Sequence, residues 1–275
     1  MITALSKLFR PRLALLNGVT ALGGYCLFPA FIHAAALPVL FCGVSLLAMG
    51  GSALNQLIER DIDALMSRTR LRPLPQGRLS ATTALLLGAC AILAGLVPLI
   101  VMGGLLPSLL GLAALIWYLA VYTPLKRRTT LALPVGALCG AFPPLIGWSL
   151  AGGELADYRI IILAGLLFIW QIPHFWLFQE RHEADYRLAG IPLIGMAAAP
   201  ASRNVLFWLW LLAFIACAML LPAFGIIERP AALWYAAFPV PLLFLALMRS
   251  NRLLFTCLNL FPVLVTLVLF FSNRV

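Results

Sequence analysis

The stretch AALPVLFCGVSLLAMGGSALNQLIERDID, running from Ala35 to Asp63, decides the fold. It is apolar almost throughout as far as Ile58 and then turns abruptly to charge. At about 1.5 Å of rise per residue, such a run is long enough to cross a hydrocarbon core of about 30 Å. A helix that ends on Glu59-Arg-Asp61-Ile-Asp63 leaves the bilayer with acid at its tip.

Similar runs recur on both sides of it. Leu13–Phe31 precedes, and Ala81–Val101, Leu105–Tyr122, Leu131–Leu150, Ile160–Phe178, Val205–Phe224, Ala231–Met248 and Leu253–Phe271 follow. With Ala35–Ile58 these predict an all-α polytopic membrane bundle of about nine transmembrane helices, with residues 1–275 forming one membrane domain. Composition agrees. The chain is 63% hydrophobic and 10% charged, against about 25% charged in an average soluble domain. The basic residues before Leu13 lead into an apolar run that continues to Ala30, and they read as the start of an uncleaved first helix. Cys26, Cys42, Cys90, Cys139, Cys217 and Cys257 all lie within apolar stretches and lack metal-ligand spacing, so they read as small packing residues.

The net charge of +10 is explained by position rather than by nucleic acid. Of 19 basic residues, only Arg159, Arg229 and Arg274 fall outside the N-terminus and the alternate loops that follow helices two, four, six and eight. The positive-inside rule therefore predicts a cytoplasmic N-terminus and an external C-terminus. Acids are not needed for that signal. Yet Glu59, Asp61, Asp63, Glu180, Glu183 and Asp185 gather in two of those loops.

Asn55, Glu59 and Asp63 are spaced i, i+4, i+8 and share one helix face. Two carboxylates and an amide oxygen are hard donors suited to Mg²⁺, which commonly keeps positions open for water and phosphate oxygens. Arginines follow closely from Arg68 to Arg78, and a guanidinium fork suits a diphosphate. The alternative is that the acids simply pair with these arginines in a solvated loop, and Asp61, off the Asn55 face, suits that role. The second segment, Trp170-QIPHFWLFQERHEADYRLAGI-Pro192, again places carboxylates beyond the end of a helix on the same side.

The first segment resembles the NxxxD/ExxxD motif of the UbiA superfamily of intramembrane prenyltransferases, and Tyr122-Thr-Pro-Leu-Lys126 resembles its YxxxK motif. Within the superfamily, ERDIDALMSRTR, GAFPPLIGW, PHFW and DYRLAGIP most resemble the haem O synthases. Ala184 departs from that pattern, standing where those enzymes commonly carry the first of two adjacent acids before the tyrosine.

The resemblance implies transfer of a farnesyl group from farnesyl diphosphate to a vinyl group of haem b within the lipid bilayer of the inner cell membrane, with the active-site mouth on the cytoplasmic side. It implies Mg²⁺ held by Asn55, Glu59, Asp63 and Asp185, with Glu183 a further metal ligand. Diphosphate binding falls to Arg68, Arg72, Tyr122 and Lys126. An acceptor pocket falls to His174, Trp148 and Trp176, where aromatic faces stabilise an allylic cation. His174 reads either as a haem contact or as a hydrogen-bonded core histidine. Haem-handing proteins or a second copy of the chain are the partners such a membrane enzyme leaves room for. Two rivals stand beside this reading: a superfamily member acting on a quinone or chlorophyll head group, and an ion-coupled transporter. The latter would place its charges nearer the midplane.

Overall fold

A computed structural model describes residues 2–29, 33–194, 204–228 and 230–272. The described residues are mostly helical, with a long loop between Leu65 and Ala81, and no strand occurs among them. A short helix, α1 (Ile2–Phe9), leads into α2 (Pro11–Leu27), with Pro11 in the first turn where its missing N–H costs nothing. Next come α3 (Ala36–Ile58), the one-and-a-half-turn α4 (Arg60–Leu65) and α5 (Ala81–Gly103). Ser80 caps α5 by accepting the Thr83 N–H at 3.0 Å. Then α6 (Leu105–Ile116) runs through a π-helical turn (Trp117–Tyr122) into α7 (Thr123–Leu125). A broken rod follows, α8 (Ala132–Ala137), a 3₁₀ turn (Leu138–Gly140) and α9 (Phe142–Leu150). The chain continues with α10 (Tyr158–Arg181), α11 (Glu183–Leu188), α12 (Val205–Ala223), α13 (Ala231–Ala237), α14 (Pro239–Leu247) and α15 (Asn251–Ser272).

Among the described residues seven helices are long and apolar enough to cross a membrane: Ala36–Ile58, Ala81–Gly103, Leu105–Leu125, Ala132–Leu150, Tyr158–Arg181, Val205–Ala223 and Asn251–Ser272. The first and eighth of the expected spans appear as shorter rods, the 17-residue Pro11–Leu27 and the α13–α14 pair from Ala231 to Leu247. Pro239 interrupts the latter, and Phe31 and its neighbours lie outside the described residues.

Two apolar cores flank a central space. One joins α2, α3, α5, α6 and α9 through Tyr25, Leu40, Leu47, Leu99 and Ile146. The other joins α10, α12, α14 and α15 through Leu163, Phe214, Leu242 and Phe261. Close approach of α2 to α9 depends on glycine. A Cβ on Gly24 would collide with the Pro144 carbonyl, and one on Gly147 with that of Ala21. At the acidic end, Gln56 Nε2 donates to the carbonyls of Lys7 and Leu8 at 3.1 and 2.7 Å, which fastens α1 across the tip of α3.

Candidate active site

Between the cores a cavity of about 360 Å³ opens at the acidic end and runs inward past Leu47, Leu115 and Ile146. Asn55, Glu59 and Asp63 all line it. The helix breaks at Glu59, where φ is −100° and ψ 12°. The backbone ladder nevertheless passes through the break: Glu59 N–H donates to the Asn55 carbonyl at 2.9 Å and Asp63 N–H to that of Glu59 at 2.8 Å. The three side chains thus stay on one face, as their spacing requires.

Each is held by a partner reached through the fold. Asn55 Nδ2 donates to Thr123 Oγ1 at 3.0 Å, which leaves the amide oxygen directed elsewhere. Lys126 Nζ stands 2.7 Å from Glu59 Oε1 and 2.8 Å from Oε2. Only the contact to Oε2 has hydrogen-bond geometry, so Oε1 is buried with charge beside it and no hydrogen bond. Arg72 Nη1 meets Asp63 Oδ2 at 2.5 Å, and the Thr69 hydroxyl donates to the Asp63 carbonyl at 2.9 Å. Glu59 and Asp63 are only 3% and 1% exposed, a burial carboxylates tolerate only when paired. The π-helical turn brings Tyr122, Thr123 and Lys126 into place. Thr123 Oγ1 bonds back to the Tyr118 carbonyl at 2.8 Å, and Tyr122 packs where Gly136 has no side chain to obstruct its ring.

These oxygens fit a divalent cation. Asp63 spends only Oδ2 on Arg72, and Glu59 Oε1, though 2.7 Å from the Lys126 ammonium, accepts no hydrogen bond, so each carboxylate keeps an acceptor oxygen for a metal. The fit is to Asn55, Glu59 and Asp63 alone. Among the described residues, no group of three or more His, Cys, Asp or Glu side chains stands ready to enclose a metal.

Asp185 is not brought to that face. Ser67 N and Oγ donate to its Oδ1 at 2.8 and 2.7 Å, and Arg68 N to its Oδ2 at 3.2 Å. The Ser67 bonds, more than any other contact, hold this carboxyl below its ordinary pKa. Asp185 therefore ties the loop after α4 onto α11. Glu183 is likewise apart, paired with Arg187 one turn on at 2.5 Å. Trp148 and Trp176 do not line the cavity either. Trp148 lies at the opposite end, edge-on to Phe28, with its Nε1 donating to the Glu154 carbonyl at 2.8 Å. Trp176 is 1% exposed and packs against Phe207 of α12. Asp61 forms a two-pronged pair with Arg127, at 2.7 and 2.8 Å, away from the cavity.

His174 does line the cavity. Its ring stacks between Trp170 and Phe255, each with centroids 5.0 Å away, and Nδ1 is buried without a hydrogen-bond partner. Sequence reasoning missed Phe178, Phe255 and Asn259, which share this wall, and Arg10, which lines the mouth. Phe178 was legible as one turn beyond His174; α15 carried no comparable signal.

The fold and this polar face define a multi-pass membrane prenyltransferase. The chain belongs to the UbiA prenyltransferase family, whose sequence profile matches residues 17–270. Among curated relatives, the protoheme IX farnesyltransferase of Geobacter sulfurreducens is 57% identical over 262 residues, covering 95% of this chain and 96% of that one. The protoheme IX farnesyltransferase of Oleidesulfovibrio alaskensis is 39% identical over 84% of this chain and 81% of its own length. Among solved structures, a UbiA homologue from Aeropyrum pernix superposes with a TM-score of 0.77 at 18% identity, covering 94% and 97% of the two chains. A UbiA homologue from Archaeoglobus fulgidus, bound to GPP and Mg²⁺, superposes with a TM-score of 0.72 at 16% identity, covering 99% of this chain and 100% of that one.

Proposed function

We propose that this protein transfers a farnesyl group from farnesyl diphosphate to a vinyl group of haem b, giving haem o and diphosphate. The observation that carries the reading is the buried face of Asn55, Glu59 and Asp63 at the mouth of an apolar cavity, in a chain 57% identical to a protoheme IX farnesyltransferase. The mouth faces the cytoplasm by the distribution of its basic loops, in the inner membrane, with the N-terminus inside and the C-terminus outside.

Asn55, Glu59 and Asp63 would hold Mg²⁺, which when bound neutralises charge growing on the diphosphate as it leaves. Lys126 and Arg72 already sit on these carboxylates and offer their remaining N–H groups to the same phosphate oxygens. Tyr122, beside them in the cavity, has a phenol free to donate. As the allylic C–O bond breaks, the electron pair leaves with the diphosphate and a farnesyl cation remains in the apolar interior. Phe175, whose ring lines the cavity, supplies π-electron density suited to that cation. The terminal carbon of the haem vinyl attacks it, leaving a cation on the carbon next to the macrocycle; one water adds there and gives up a proton to the departing diphosphate, which completes the hydroxyethylfarnesyl substituent. Excluding bulk water until then is the work of the apolar cavity walls.

The metal face is tested by Asp63→Ala in purified, folded protein. Turnover should vanish while membrane insertion and yield persist, and EDTA should abolish wild-type activity until Mg²⁺ is restored. Retained turnover in either case contradicts the mechanism.

A further inference from the structure

Two guanidinium groups that line the cavity take no part in the chemistry above; the family resemblance gives Arg68 to the diphosphate, but in the structure it stands on Phe178 rather than on a carboxylate of the metal face. Among the described residues neither Arg10 nor Arg68 is paired with a carboxylate. Arg10 joins α1 to α2 in a left-handed conformation, φ 48° and ψ 58°, immediately before Pro11. A residue with a Cβ seldom adopts that conformation, and a following proline disfavours helical angles further. The strain is held in place by Gln56 gripping the end of α1. Its result is that Arg10 lines the cavity.

Arg68 is carried on the loop tied to Asp185, with its guanidinium 5.2 Å from the Phe178 ring centroid. Desolvation chiefly lowers its pKa; Tyr186 is the largest opposing influence, Arg72 and Arg10 lower it further, and Asp63 offsets a smaller part. Asp63 Oδ2 is already taken by Arg72. Two guanidinium groups that line one cavity without a carboxylate partner call for an anion from outside.

The surroundings say what kind. Lys126 and Arg72 stand on the carboxylate face, whereas Arg68 stands on Phe178, next to Phe255 and the stacked His174 ring. A flat aromatic molecule with carboxylate arms matches that order: rings against rings, arms toward the mouth. We infer that Arg10 and Arg68 bind the propionate carboxylates of the acceptor macrocycle and so select and orient it. This rests on the proposed transfer to haem b.

The test compares haem b with its dimethyl ester, using purified wild type and the variants Arg10→Gln, Arg10→Lys and Arg68→Gln. Loss of one charge-assisted contact should raise KM for haem b, and the Kd from Soret titration, by about tenfold or more. KM for farnesyl diphosphate should stay put, and Arg10→Lys should recover part of the loss. Wild type should bind the ester correspondingly weakly, and Arg10→Gln should add little to that penalty. The ester arm needs no variant, so a folding defect cannot imitate it. If Arg10→Gln instead raises KM for farnesyl diphosphate, the pair grips the diphosphate and the inference is wrong. If wild type makes haem o and uses the ester equally well, the inference alone fails. If wild type makes no haem o, the transfer reading falls and takes the inference with it.

Discussion

Replacing Asp185 with alanine separates two roles that the same carboxylate can play. In the structure it accepts three hydrogen bonds, from Ser67 N, Ser67 Oγ and Arg68 N, at 2.8, 2.7 and 3.2 Å. Hydrogen bonds to a charged acceptor contribute about 1.5–3 kcal/mol each. The longest is weak and the set is not additive, so the loop should lose about 3–5 kcal/mol of local stability. Since each 1.4 kcal/mol is tenfold, its open population should rise by about two to three and a half orders of magnitude. The spans do not depend on this contact, so the change stays local. Hydrogen exchange at Ser67–Arg70 and tryptic cleavage after Arg68 or Arg70 should both accelerate. Activity should fall, through the displaced Arg68, while half-saturation by Mg²⁺ remains within about twofold of wild type. A lost ligand would behave differently, since even outer-shell changes cost about 10–100-fold in metal affinity. A large rise in the Mg²⁺ requirement with unchanged loop protection would refute the tether and restore Asp185 as a ligand.

Three further outcomes follow from the same contacts. The tether should depend on pH: because the Ser67 bonds depress the Asp185 carboxyl below its ordinary 3.8, its contribution is complete above that value and is lost as pH falls through the lower folded pKa. Loop exchange, corrected for intrinsic rate, should be flat from about pH 5 to 8 and rise only in stronger acid. Gly136→Ala drives a methyl into the Tyr122 ring and should cut turnover by about tenfold or more through the misplaced tyrosine and lysine, as steady-state kinetics would register. Asp61→Asn removes only an exposed pair with Arg127 and should change thermal stability by less than about 1 kcal/mol, with kinetics intact.

Much of the bundle was legible because a span announces itself by length and apolarity, and the metal face because Asn55, Glu59 and Asp63 recur at helical spacing. That Lys126 would close on Glu59 was not legible, since it arrives from a distant segment; the Arg72–Asp63 pair is the acid–arginine pairing the first segment offered as its alternative, made at a buried carboxylate. The π-helical turn that aims Tyr122 was not legible either. Two assignments went against geometry already present in the sequence. His174 and Trp176 are two residues apart on a helix, about 200° around its axis, and cannot both face one cavity. Trp148 ends a span that starts from the basic side, which puts it at the far end from the acids. Glu183 and Arg187, one turn apart, were set to pair with each other. Arg10 was hidden differently: among the N-terminal basic residues it looked like one more topology signal, and only its own left-handed backbone before Pro11 and its place in the cavity wall set it apart.

The central claim is the identity of the acceptor. Purified protein in lipid, supplied with farnesyl diphosphate, Mg²⁺ and an equal mixture of haem b and a quinone precursor, should be sampled by chromatography and mass spectrometry. The account predicts a more hydrophobic haem that has gained one farnesyl group and one hydroxyl, with the quinone precursor unchanged. Prenylated quinone beside unaltered haem b would contradict it.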